Sequence, residues 1–203
     1  MPRERMSDGA IASEGGNFRR SEEAQLDQLR SERERAANRR RLAEATGVTD
    51  QRLLARVEAL GLTAETVVLI DLLPAIEVAW AERVLTQRER DAVVSIAAEL
   101  GVAGGEPAFR QLLGYLTTPP DEEFFAEARD VLAALVETMP SMEGQMRRMD
   151  AIDFCSEVAR ASGGLLARFG LRDTVSSDER DAIRRVSARL CSGRGSNLAS
   201  PEL

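Results

Sequence analysis

The sequence predicts an all-α protein, a bundle of about eight helices, and three observations carry that expectation. Aromatic residues make up 4% of the chain, while Ala and Leu dominate an apolar set of 43%, a balance that favours helices over sheets. Apolar residues recur every three to four positions along most of the length, and no segment alternates apolar and polar residues as a half-buried strand does. Side-chain caps and Gly or Pro stops punctuate these stripes at helical intervals.

Taken in order, residues 1–20 are polar, contain Gly and Ser, and are expected to form a disordered tail. Residues 21–46 form a charged helical arm in which Arg30 and Glu34, and Arg40 and Glu44, lie four apart and can pair. Its apolar stripe is thin: Leu26, Leu29, Ala36, Ala37, Leu42 and Ala43. Such an arm either lies loosely on the domain or docks as a coiled coil. Gly47 stops it, and the main helical domain spans 47–191. Thr49 caps a short helix from Asp50 to Leu60 with Leu53, Leu54, Val57 and Leu60 on one face. Thr63 caps the next helix, which runs to about Arg83, is apolar nearly all round and is therefore central. Only Asp71 and Glu77 interrupt its middle, and Pro74 is expected to kink it near Ile70.

Thr86 and Glu89 have capping-box spacing and open a helix that buries Val93, Ile96, Ala97 and Leu100. Phe109, Leu112, Leu113 and Leu116 mark another stripe. Thr118 as cap, with Pro119 in the first helical position, begins a helix burying Phe124, Phe125, Ala128, Leu132, Leu135 and Met139, which Pro140 ends. Ser141 then caps a long helix with Met146, Met149, Ile152, Cys155, Ala159 and Leu166 on its apolar face and a bend at Gly163-Gly164. Ser176 and Glu179 form a second capping box before Ile183, Val186 and Leu190, and residues 192–203 are a polar tail.

Two absences bound the chemistry. All 27 basic residues are arginine, and there is no histidine. Ser-His and Cys-His nucleophile pairs need an imidazole, whereas Schiff bases and Walker-type phosphate loops need a lysine. Two cysteines, Cys155 and Cys191, are too few for a zinc site built from His and Cys, and without an export signal they are expected to be reduced in the cytoplasm. Carboxylates, arginines and hydroxyls remain. The net charge of −7 opposes phosphate-backbone binding, and residues 1–50 balance ten arginines with ten acids, so no nucleic-acid partner is expected. No apolar stretch is long enough to span a membrane.

The two capping boxes align at an offset of 90 residues. Glu89, Arg90, Asp91, Ala92, Ala98 and Leu100 recur as Glu179, Arg180, Asp181, Ala182, Ala188 and Leu190, which suggests a duplicated helix-turn-helix unit. Each unit places carboxylates round a turn: Glu82 and Glu89 in the first, Asp173, Asp178 and Glu179 in the second. Oxygen ligands of this kind suit Ca²⁺ or Mg²⁺, and Glu82, Glu89, Asp173 and Glu179 are the candidate ligands, although the loops lack the alternating acids and central Gly of an EF-hand. As capping glutamates, Glu89 and Glu179 also have a purely structural role. Asp150, Asp153 and Glu157 share a helix face with Arg147, Arg148 and Arg160 and read as a solvated ion-pair surface. Asp71 and Glu77 are the best candidates for acids of raised pKa in a carboxylate enzyme, and each is expected instead to pair with an arginine from a facing helix.

The stretch Leu69–Glu82, ending Ala79-Trp80-Ala81-Glu82, followed by Val84–Arg90 with Thr86 and Glu89, resembles the tellurite-resistance protein B (TerB)-like family. There an apolar helix ends in Ala-Trp-Ala-Asp-Gly, and Ser/Asp-x-x-Glu opens the next. Ala45–Asp50, Ala59–Thr66, Ala161–Leu166 and Val175-Ser176 extend the resemblance over residues 42–190. The resemblance implies an all-helical, bacterial, non-enzymatic protein that acts through protein partners in tellurite and other stress responses. It also implies divalent-metal binding and peripheral association near the inner membrane, with no other cofactor. The sequence departs from the family where Glu82-Arg83 replaces Asp-Gly. Glutamate keeps the carboxylate on a longer stem, whereas Arg83 sets a positive charge beside any cation and removes a flexible backbone position.

Overall fold

The computed structural model describes residues 8–162 and 175–192, and among them every regular element is helical. Eight α-helices follow one another: α1 (Asp8–Thr46), α2 (Gln51–Ala59), α3 (Leu73–Ala79), α4 (Gln87–Glu99), α5 (Pro107–Thr117), α6 (Glu122–Glu137), α7 (Ser141–Ser162) and α8 (Ser177–Cys191). A 3₁₀ turn, Val67–Asp71, leads into α3.

Helix α1 begins at Asp8, inside the segment that composition marks as a tail. Extending an existing helix fixes one residue per hydrogen bond gained, so the charged arm propagates backwards where an isolated peptide would not nucleate. From Gln25 to Ala37 the arm is almost wholly exposed, Leu26 and Leu29 included. It docks only near its end, where Asn38 donates to Glu58 (3.2 Å), Arg39 pairs with Glu58 (4.0 Å) and Leu42 is buried. Arg30 pairs with Asp27 one turn back, while Arg40 and Glu44 pair as their spacing suggests.

The core centres on residues 69–79. Leu69, Ile70 and every residue from Leu72 to Ala79 are buried, and α3 packs against α7, α6, α8 and α4. The expected continuous helix from Thr63 to Arg83 is broken into the 3₁₀ turn and α3. Pro74 falls in the first turn of α3, where its missing N–H costs nothing, and Leu72 N donates to Leu69 O (2.9 Å) to close the preceding turn.

Four caps differ from expectation: Thr63 caps no helix, since the 3₁₀ turn begins only after Thr66, and Ser141 is the first residue of α7 and not the cap before it. Asp50, not Thr49, caps α2 through Arg52 N. Asp121, not Thr118, caps α6 by accepting from Phe124 N (2.8 Å). Pro119 precedes another proline, which disfavours helical backbone there, so the helix starts only after Pro120. Both capping boxes form: Thr86 with Glu89, and Ser176 with Glu179.

Helix α7 buries Gly144, Ala151, Cys155, Val158 and Ala159 and turns Met146 and Met149 outward, which corrects the apolar face expected for it. Leu166, the Gly163-Gly164 bend and the polar end at 193–203 lie outside the described residues. The buried face is rotated because α7 meets α6 closely at Gly144. A Cβ at that position would stand 2.8 Å from Val136 O and 3.2 Å from Val136 Cγ1. Gly144→Ala is therefore expected to destabilise the fold by about 1–3 kcal/mol, read as a lower urea midpoint, because backbone of α6 must move.

Candidate functional site

The turn between α3 and α4 carries the motif on which the family resemblance rests. Arg83 N donates to Trp80 O (2.8 Å), and Arg83 has φ +61°, the only non-glycine with positive φ among the described residues. The left-handed geometry that glycine accepts freely is retained here by an arginine, at a cost of about 1 kcal/mol. Trp80 Nε1 donates to Tyr115 O (3.0 Å) and Arg90 Nη2 to Leu116 O (2.6 Å), so both ends of this turn satisfy carbonyls at the end of α5.

The four candidate cation ligands fare differently. Glu82 is exposed, and Asp173 lies outside the described residues. Glu89 and Glu179 are 3% and 0% exposed, unusual for capping glutamates. Thr86 N donates to Glu89 Oε2 (2.7 Å) and Glu89 N to Thr86 Oγ1 (3.3 Å). Ser176 N donates to Glu179 Oε2 (2.6 Å) and Glu179 N to Ser176 Oγ (3.2 Å). Each box thus uses one carboxylate oxygen, and the other oxygen of Glu179, Oε1, is buried without a hydrogen-bond partner. Burial pushes the Glu89 carboxyl above its ordinary range; the bonds from Thr86 offset part of this, and the charges of Glu179 and Glu82 push it further. The two glutamates therefore feel one another. Among the described residues no three acids, thiols or imidazoles converge on one point.

The acids of the central segment are paired, as expected, with arginines of facing helices. Arg147 on α7 donates to Asp71 through Nε (2.6 Å) and Nη2 (2.9 Å). Glu77 accepts from Arg129 on α6 and from Arg185 Nη2 on α8 (3.4 Å). Asp150, Asp153 and Glu157 are exposed. Cys155 is buried and free, its thiol pushed well up by burial and so held as the unreactive thiol form.

A surface that the sequence pattern does not reveal lies on the first half of α7. Met142, Met146 and Met149 are 77%, 60% and 56% exposed at helical spacing. The first two line, with Met139 and Pro140, a groove of about 530 Å³. Glu143 and Asp150 border it, and the Asp71–Arg147 pair belongs to its lining. Single exposed apolar residues are ordinary, whereas these three lie in a row beside a groove.

Comparison with protein-family models, curated proteins and solved structures finds no significant match to this chain.

The buried glutamate gives a directional test. A carboxyl whose folded pKa is raised makes its most favourable contribution when protonated, and that contribution is lost as pH rises from its ordinary value of 4.5 through the higher folded value. Glu89→Gln keeps an acceptor for Thr86 N and carries no charge. The variant is expected to be at least as stable as the parent near pH 7, and its relative advantage to shrink towards about pH 4, measured by urea denaturation at both values.

Proposed function

We propose that this chain is a non-catalytic helical interaction protein of the TerB-like kind, acting in the cytoplasm of a bacterium through protein partners in a tellurite or related stress response. The observation that carries this reading is the methionine row of α7. Methionine side chains are flexible and polarisable and adapt to varied apolar partners, so they are favoured on surfaces that bind rather than in cores that must be rigid. The resemblance over residues 42–190 supplies the process, and the match of Trp80, Ala81, Thr86 and Glu89 to the family pattern supplies its anchor. No described helix is long and apolar enough to cross a membrane, and on this reading membrane association is peripheral.

Met142→Glu/Met146→Glu places two charges on the row without touching the core. A strain lacking the chain is expected to grow poorly in tellurite, the parent sequence to restore growth, and the double variant to fail while its far-ultraviolet dichroism and unfolding midpoint stay within about 0.5 kcal/mol of the parent. Equal rescue by both sequences would remove the reading.

A second reading has its own observation in the orphaned Glu179 Oε1. Two buried glutamates of one sign, one with an oxygen that has no hydrogen-bond partner, favour a divalent cation such as Ca²⁺ or Mg²⁺; Glu82 and Asp173 are the further carboxylates that the sequence offers for it. The guanidinium of Arg83, next in sequence to Glu82, works against it. Calorimetric titration with either cation is expected to give saturable heat in the parent and none in Glu179→Gln or Glu82→Ala. Absence of heat at cation concentrations on the order of millimolar rejects the site.

A further inference from the structure

Arg83 is strained, and no ion pair involves it among the described residues. It stands at a second pocket, of about 500 Å³, formed where the end of α3, the Pro-Pro entry to α6 and the middle of α8 meet. That volume lies within the range of small-molecule sites. Trp80, Pro119, Pro120 and Phe125 supply apolar and aromatic wall, and Glu77, Arg83, Glu122 and Arg185 supply the charges.

The two acids and two arginines of the lining cancel in number but not in pairing. Glu77 is already engaged by the buried guanidinium of Arg129, and Arg185 reaches the same carboxylate only at 3.4 Å while remaining 52% exposed. One carboxylate is therefore shared by two arginines, and Arg83 adds a third. The other acid of the lining, Glu122, is exposed at the start of α6 and makes no ion pair with Arg83 among the described residues. What the pocket offers an anion is therefore not a net charge but one guanidinium, that of Arg83, which no carboxylate of the described residues engages, beside aromatic wall. Arginine is suited to such a position because its planar fork matches a carboxylate and its charge persists at any physiological pH. Arginine in the left-handed region also forgoes the relief that glycine would give, and strain retained beside a pocket points to a use for the side chain.

We propose that this pocket binds a small carboxylate with a flat apolar body, the carboxylate held by Arg83 and Arg185 and the body lying against Trp80 and Phe125. This goes beyond the partner-binding reading and does not depend on it, because none of these residues belongs to the methionine row.

Trp80 is the only tryptophan in the chain, so its fluorescence and its single indole N–H resonance report on this pocket alone. Titration of the intact protein with phenylacetate is expected to change both signals saturably. Phenylacetamide lacks the charge and acetate lacks the body, so each is expected to bind at least roughly tenfold more weakly. Arg83→Gly is the decisive variant. It removes the guanidinium and relieves the backbone, so the unfolding midpoint is expected to rise while phenylacetate binding weakens about tenfold. Arg185→Gln is expected to weaken binding similarly, and Arg83→Gly decides alone should that variant fail to fold. The proposal is overturned by any of three results: no saturable change at phenylacetate of about 10 mM, equal binding of phenylacetamide, or unchanged binding in Arg83→Gly.

Discussion

Two carboxylates sit in a segment that has almost no water around it, and the bundle is arranged to answer them. Residues 69–79 are buried nearly throughout, yet include Asp71 and Glu77. An ionised acid cannot be left unpaired in such a place, so three of the helices packed round it arrive with an arginine at the right height. Arg147 does this for α7, Arg129 for α6 and Arg185 for α8. Breaking one buried pair costs about 3–5 kcal/mol, whereas replacing a whole pair with apolar residues is often neutral, so the pairs choose among packings more than they add stability. Apolar stripes alone would allow the helices to slide by a turn, whereas a bidentate guanidinium–carboxylate contact allows one register. The complete replacement of lysine by arginine suits this architecture, since a lysine offers no second parallel bond.

The capping glutamates show the same tension between structure and charge. A capping box normally sits at a wet helix end. Here both boxes are drawn inward with α4 and α8, which pack against α7, and Glu179 loses the water that would serve its second oxygen. Local geometry is satisfied and long-range electrostatics are not, because two carboxylates of one sign act on one another through a medium that screens poorly.

What could be read from the sequence was what is decided locally. Thr86 with Glu89 and Ser176 with Glu179 were recognisable because a capping box needs only four consecutive residues. The pairing of Asp71 and Glu77 with arginines was legible in kind, since burial of an acid demands it, but not in partner, since Arg147 lies 76 residues from Asp71. Met146 and Met149 were misplaced because methionine fits a core stripe and an exposed contact surface equally well, and only the close approach at Gly144 decides which face of α7 turns inward. The cap of α6 was misplaced because the second proline constrains the first, a two-residue effect that composition does not show. The Trp80 pocket could not be seen at all. Its walls come from three segments far apart in the chain, and its strain lies in a φ angle that arginine does not advertise.

Helix α1 has a further consequence that concerns how the molecule moves. Its thirteen residues from Gln25 to Ala37 touch almost nothing, and at 1.5 Å per residue they extend about 20 Å beyond the docking point at Asn38. A compact chain of this length has a radius of gyration of about 17 Å, so the projecting rod is comparable to the radius of the globule that carries it. The particle is therefore anisotropic. It diffuses more slowly, and elutes earlier, than a sphere of its mass, so elution volume alone overstates its mass. Light scattering, which weighs the particle without reference to its shape, is the measurement that counts its chains.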